Sequence, residues 1–270
     1  MRFYKTSIKF NYFFLIIGFF LFFLHPLIGS LRLRQSLKIY ELFENYKNCF
    51  LSTIISFAFN VILPAKAGDF SKALFLKSIQ NKSIVISAVL NERVSDIMVL
   101  LLMFLIASIF LSDYSYINVL ILLFIVVFIL IILSNLLKNI NFKSNILKKI
   151  NIFYIETFNV WKNINLNNIQ LIFYSSLMWL LGITQIWLYF LAFDYSLNIL
   201  LLIKFFPLII ISTLLPITPS GVGVRELSFI FFLKDLAPPE LLILISLLYF
   251  FSSTLINGII GFFFYLNYKN

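Results

Sequence analysis

Asn60-Val-Ile-Leu-Pro64-Ala-Lys66-Ala-Gly68-Asp69-Phe-Ser-Lys72 and Ser212-Thr-Leu-Leu-Pro216-Ile-Thr-Pro219-Ser-Gly221-Val-Gly223-Val-Arg225-Glu226 break two otherwise apolar segments in the same way. Each runs into Leu-Pro, turns through glycine, and resumes as an apolar helical pattern with charge at its start. Proline removes a backbone donor and clashes with the preceding turn, so neither segment can be one straight helix. Irregular backbone at membrane depth persists only where protein buries it or where it lines a wet cavity. A pair of broken segments, one in each half of a chain, points to a transport site.

The remaining sequence sets these breaks in a membrane. Of 270 residues, 61% are hydrophobic and only 12% charged, and the mean hydropathy is +1.01. Soluble domains run nearer half apolar and a quarter charged. Several runs reach the roughly 20 residues that cross a bilayer. No polar stretch is long enough for a second domain, so residues 1–270 read as one transmembrane domain. The net charge of +10 sits in clusters between apolar runs. That placement suits topology and anionic headgroups and does not call for a nucleic-acid partner. Cys49 is the only cysteine and His25 the only histidine, so neither an intrachain disulfide nor a zinc set is expected. No cofactor is implied. The N-terminal run leads into His25-Pro26 without a small-residue cleavage site, which favours a retained helix over a signal peptide.

Along the chain, Phe10 to Leu31 reads as the first helix. Ser30 to Lys47 mixes Leu31, Leu33, Leu37 and Tyr40 with Arg32, Arg34, Lys38 and Glu41, the pattern of an interfacial helix. His25 then falls at a helix end. Phe50 to Leu63 is only 14 residues, the length of a half-helix or re-entrant arm, with Phe70 to Ile79 as its return. Ser83 to Leu111, Tyr116 to Leu137, Ile169 to Phe193, Leu197 to Leu215 and Glu240 to Tyr268 follow as spans. Leu227 to Leu233 is a short arm behind the second break. Lys138, Lys143, Lys148, Lys149 and Lys162 mark a basic connection, placed in the cytoplasm. The connections near Asp113 and Asp194 carry no Lys or Arg and are placed outside. The N-terminal side stays open: crossing once through Phe50–Ile79 puts it inside, and a re-entrant hairpin puts it outside.

Candidate chemistry gathers at three places. Ile97 to Leu111 covers about 22 Å at the helical rise, short of a roughly 30 Å core. The helix must therefore draw Glu92, Arg93 and Asp96 toward the membrane, where charges face a cavity or a partner. The glycine-rich turn Pro219-Ser-Gly221-Val-Gly223 precedes a helix start, whose free amides attract anions. Arg225 adds a planar fork suited to phosphate, and Glu226 needs a cation, with Arg225 or Arg93 as choices. Lys66, Gly68, Asp69 and Lys72 form the matching element in the first break. Lys204, inside an apolar run, either lines a path or snorkels.

These motifs, in this order, resemble the lysylphosphatidylglycerol synthase transmembrane region, the flippase-like family also found as stand-alone membrane proteins. The resemblance rests on Pro64-Ala-Lys-Ala-Gly68-Asp69, Glu92-Arg93-Val-Ser-Asp96 and Pro219-Ser-Gly221-Val-Gly223-Val-Arg225-Glu226. It covers nearly the whole chain. The family usually has Gly-Gly where Ser220-Gly221 stands, and often Arg at Lys66 or Lys72, departures that bear on headgroup choice. The resemblance implies an inner-membrane protein with two re-entrant elements that moves a charged lipid. The soluble aminoacyl-transfer domain of larger members has no counterpart in these residues, so lysyl-lipid synthesis is not expected.

The combined reading is an all-α integral membrane protein, a polytopic helical bundle of six to eight segments with two Pro/Gly-broken re-entrant elements. An inverted repeat is one way to pair them. The expected function is translocation of an anionic phospholipid or a polyprenyl-phosphate-linked sugar across the cytoplasmic membrane. The alternatives are a membrane glycosyltransferase using Asp96 or Glu92, or a non-catalytic partner in envelope lipid synthesis. The expected headgroup site is Lys66, Gly68, Asp69, Lys72, Glu92, Arg93, Asp96, Pro219, Gly221, Gly223, Arg225 and Glu226, with Arg93, Asp96, Arg225 and Glu226 within a few ångströms of one another.

Overall fold

The computed structural model describes residues 10–118, 121, 122, 125, 129, 151, 155–161 and 164–269. Among them the fold is helical, without strands. Four helical stretches are long and apolar enough to cross a membrane: Tyr12–Ile39, Lys82–Phe110, Leu166–Ala192 and Pro239–Tyr268. Most of the span expected at Tyr116–Leu137, and most of the basic connection after it, lie outside the described residues.

The first stretch corrects the reading of an interfacial helix at Ser30–Lys47. Helix α1 (Tyr12–Phe20), a 3₁₀ turn (Leu21–Phe23) and α2 (Leu24–Ile39) run on as one span. Proline is tolerated here because its cost is met elsewhere. Pro26 cannot donate to the Phe22 carbonyl, and the Asn257 amide donates to that oxygen at 3.1 Å. A side chain from a neighbouring helix thus satisfies the freed backbone group. His25 is consequently buried inside the bundle, not placed at a helix end. The face Arg32, Leu33, Gln35, Ser36 and Leu37 is buried with it.

Two hairpins pack between the spans. The first is α3 (Tyr46–Ile62), a 3₁₀ stretch (Pro64–Ser71) and α4 (Lys72–Phe75). Leu63 turns to extended backbone before Pro64, and Ala65 and Lys66 are left-handed, at φ 52° and 54°. Gly68 then lies directly against the backbone of Phe59 and Asn60, where a Cβ would collide with the Asn60 nitrogen. Glycine is what lets the return arm close on the outgoing one. The hairpin's ends meet, because the Ser78 hydroxyl donates to Glu44. Helix α5 (Lys82–Phe110) starts beside them, with Lys82 Nζ donating to the Leu76 carbonyl at 2.6 Å.

The second hairpin is α7 (Ile199–Thr213), a 3₁₀ turn (Pro219–Gly221) and α8 (Val224–Leu233), and it follows α6 (Leu166–Ala192). Its two arms are held by Phe205 stacking on Phe232 and by the Ser212–Ser228 hydroxyl pair at 2.6 Å. It opens toward the other end of the bundle, where Lys204 fastens the loop after α5 and Asn11 donates to the Ala192 carbonyl. The two hairpins therefore enter from opposite ends, and their tips touch. The Ser220 hydroxyl is within hydrogen-bond distance of the carbonyls of Asn60 at 2.6 Å and Val61 at 3.1 Å. On the sequence-level alternatives, the first hairpin begins and ends at one end of the bundle, so residue 12 lies at the end shared by Asp113 and Asp194.

The last stretch comprises α9 (Pro239–Phe250), a π-helical turn (Phe251–Leu255) and α10 (Ile256–Lys269). Helix α10 lies tightly on α3: a Cβ at Gly261 would meet the Ile54 carbonyl and one at Gly258 the Val61 side chain. Small residues allow this approach where no hydrophobic force draws helices together. The larger apolar core joins α5 to α9, with Trp179, Ile183, Phe206, Ile209, Phe229 and Ile245 buried. A smaller one, with Leu33, Leu37, Cys49, Leu76 and Val85, seats the first hairpin. Phe20, Ile109, Phe173 and Phe262 point outward, as lipid-facing residues do.

Candidate functional site

The first hairpin carries its charges to the middle of α5, and there they close into a ring. Arg32 Nη2 lies 3.4 Å from Glu92. Glu92 accepts from Lys72 Nζ at 2.8 Å, and Lys72 lies 3.5 Å from Asp69. Asp69 pairs with Arg93 at 3.0 Å, Arg93 with Asp96 at 3.1 Å, and Asp96 with Arg32 at 2.6 Å. Three cations thus alternate with three carboxylates, each touching both neighbours. All but Arg93 are essentially buried, and its side chain is 20% exposed. Further donors fix the ring. Asn60 Nδ2 reaches Asp69 at 3.0 Å, and Trp179 Nε1 reaches Asp96 at 2.9 Å.

Such a ring is a requirement for burial before it is a source of stability. Taking an ion out of water costs several kcal/mol, which neighbouring charges repay only when each is fully paired. Within a membrane, the alternative to pairing is worse still. Arg32 is the member that the sequence reading missed, having been placed on the membrane surface. A trace of it was legible: His25, Gly29, Arg32 and Ser36 follow a 4-3-4 spacing, one polar stripe on an apolar helix.

Beside the ring is a cavity of about 70 Å³, lined by His25, Arg32, Lys66, Asp96, Met178, Trp179, Tyr249, Ser253 and Thr254. Space of this size in polar surroundings holds water or a small polar group. Lys66 reaches it from the tip of the first hairpin. Its ammonium sits 4.6 Å from the centroid of the Trp179 ring, a cation–π contact. Among the described residues Lys66 forms no ion pair. At the far wall, His25 Nε2 lies 3.2 Å from the Gln185 side-chain oxygen. Gln185 in turn donates to Ser252 at 2.8 Å and to the Gly18 carbonyl at 2.9 Å. His25 and Gln185 were not expected here.

The second hairpin contributes differently. Ser220 stands at φ 52°, Gly221 at 70° and Gly223 at 86°. Only the two glycines are free of side-chain strain in that region. Arg225 Nη2 donates to the Ser220 carbonyl at 2.9 Å, and its guanidinium carbon lies 4.8 Å from the Phe250 ring centroid. Glu226 accepts from the Gly223 N–H and from Ser246 at 2.9 Å. The expected gathering of Arg93, Asp96, Arg225 and Glu226 is therefore replaced by two groups: Arg93 and Asp96 belong to the ring, while Arg225 and Glu226 brace the second tip. Neither of the latter forms an ion pair among the described residues. Pro219 and Gly221 shape the same turn. Gly68 acts through close packing and Lys72 within the ring. Lys204 is buried and paired with Asp113, and also donates to Ser115 at 2.9 Å. It fastens the loop after α5.

The family model for the lysylphosphatidylglycerol synthase TM region matches residues 2–261. The chain belongs to this family. Within that match fall both hairpins, the ionic ring and the cavity. The chain is also similar to the UPF0104 membrane protein MJ1595 of Methanocaldococcus jannaschii, at 27% identity over 288 aligned residues, which cover 96% of this chain and 85% of that protein. No solved structure matches this family member.

Proposed function

We propose that this membrane protein passes the phosphate-bearing headgroup of an anionic lipid, a phospholipid or a polyprenyl-phosphate-linked sugar, between the two sides of the cytoplasmic membrane. The observation that carries the reading is the polar cavity beside the ring, into which Lys66 faces from the tip of the first hairpin with no ion pair among the described residues, while the second tip is hydrogen-bonded to the first. Both hairpins dip into the bilayer in this reading, and their tips enclose the passage. Lys66 attracts the phosphate, the ring holds the walls polar, and the Arg225 turn forms the second gate. The acyl chains stay in lipid. An open apolar groove of about 260 Å³, lined by Ala58, Val61, Leu255, Gly258 and Phe262, suits one of them. One of its lining residues, Leu255, lies on the same helical turn as Ser253 and Thr254 of the cavity.

The commitment of Asp69, Glu92 and Asp96 to ion pairs favours this reading over glycosyl transfer led by a free carboxylate. Reconstituted in vesicles with a headgroup-labelled anionic phospholipid, the protein is expected to move label between leaflets, and Lys66→Gln to lose at least tenfold in rate with its thermal unfolding unchanged. Transfer by Lys66→Gln at the full rate defeats the reading.

A further inference from the structure

The ring fixes the charge of what the cavity can hold. Its members are Arg32, Lys72 and Arg93 against Asp69, Glu92 and Asp96, and its net charge is zero. The other titratable groups near the cavity add nothing to the balance at neutral pH: Arg225 and Glu226 offset each other, the Tyr249 phenol is uncharged, and the buried His25 faces the Gln185 side-chain oxygen, to which a neutral imidazole donates from Nε2. Among the described residues lining the cavity, Lys66 alone is left over. Its ammonium rests on the Trp179 ring, and Trp179 is itself held by its N–H bond to Asp96. An aromatic face offsets part of a cation's desolvation but none of its charge. A polar cavity with one uncompensated positive charge, in low-dielectric surroundings, is best completed by one negative charge.

We infer that the cavity beside the closed charge ring binds a singly charged phosphodiester at Lys66 and discriminates against the doubly charged phosphomonoester. The inference rests on the headgroup reading above but makes a separate claim, about charge number. A phosphomonoester carries about −1.5 to −2 at pH 7 and would leave the cavity negative; a diester carries one charge and balances it. The ring supplies the means to change this number. Asp69→Asn keeps a hydrogen-bond acceptor for Asn60 while removing one negative charge, which raises the excess from one to two. Lys66→Gln lowers it to zero.

The test is ligand-dependent thermal stabilisation of the purified full chain in mixed micelles. The probes are phosphatidylglycerol as diester lipid, phosphatidic acid as monoester lipid, and dimethyl phosphate as a soluble diester. Stabilisation converts to affinity by mass action. The wild-type protein is expected to bind phosphatidylglycerol at least tenfold tighter than phosphatidic acid. Asp69→Asn is expected to narrow or reverse that ratio, and Lys66→Gln to weaken both at least tenfold. Stabilisation by dimethyl phosphate as well assigns recognition to the phosphodiester alone; stabilisation by the lipid only adds the chains to it, and both results keep the charge rule. Wild-type preference for phosphatidic acid overturns the inference. So does an unchanged ratio in a folded Asp69→Asn protein. If Asp69→Asn does not fold, Lys66→Gln decides alone, and undiminished phosphatidylglycerol binding by it overturns the inference. Binding with the expected charge rule but no transfer between leaflets leaves this inference standing and removes the transport reading; transfer without charge preference does the reverse.

Discussion

The two hairpins solve one geometric problem with different chemistry. Each must turn inside the bundle after about 15 to 17 helical residues, and each does so with a proline and left-handed backbone. The first places non-glycine residues, Ala65 and Lys66, in the left-handed region and packs Gly68 against its own outgoing arm. It is held by charges: Asp69 and Lys72 are locked to Arg93 and Glu92 of α5. The second places one non-glycine residue, Ser220, in the left-handed region beside Gly221 and Gly223 and is held by short polar contacts, from Arg225 and Glu226 to the turn and from Ser220 to the facing tip. Long-range ionic anchoring makes the first hairpin part of the frame. The arms of the second stay in the larger apolar core, but its tip is joined to the first mainly through one serine, and so of the two tips it is the one better suited to move.

That contrast breaks most visibly at the ring. Arg32→Ala leaves Asp96 and Glu92 short of a partner in buried surroundings, and the expected loss is about 3–5 kcal/mol, read as a lowered unfolding temperature in detergent. Gly68→Ala comes next. Backbone fills the space a methyl would need, so the first hairpin has to open, at about 1–3 kcal/mol; protease sensitivity between residues 59 and 72 would report it. Ser220→Ala removes the link between the tips while keeping the left-handed backbone. The expected cost is about 1 kcal/mol, with faster exchange of the 219–223 amides and little change at 64–71. Equal loosening of both tips would refute the division into a fixed tip and a looser one.

The smallest expected effect is at the edge of the second hairpin. Asp113 is partly exposed and held by Lys204, whose hydrogen bond lowers its pKa to about 2. A carboxyl depressed in this way contributes stability at pH values above its ordinary value of about 4, and that contribution is lost as pH falls through about 2. Solvent screening keeps the effect modest. Asp113→Asn is expected to flatten the acid limb of the unfolding curve in that window alone, with the ring unaffected.

Much of this was legible from residue order. Leu-Pro with following glycines marked both turns because proline's missing donor and glycine's missing Cβ act locally. Glu92 and Asp96 announced a buried site because the apolar run after them is too short to cross alone. Arg32 and His25 were misplaced for the converse reason. A basic, mixed segment looks interfacial until something inside the membrane compensates its charge, and the compensating groups lie 60 or more residues away on another helix. Arg225 and Glu226 were assigned to the ionic site because their side-chain chemistry suited it. Their local backbone, with the free Gly223 N–H and the Ser220 carbonyl in reach, claimed them first.

The residue order by itself determined that this chain lives in a membrane, where its backbone must break, and which α5 positions carry charge. These follow from hydropathy, from the covalent limits of proline and from helical rise, all of which are properties of neighbours along the chain. Only the tertiary structure decided which cation meets which carboxylate, that six of them close a neutral ring, and that Lys66 is left facing the cavity. Charge pairing depends on distance in space, and in a low-dielectric interior a few ångströms separate a satisfied ion from an intolerable one.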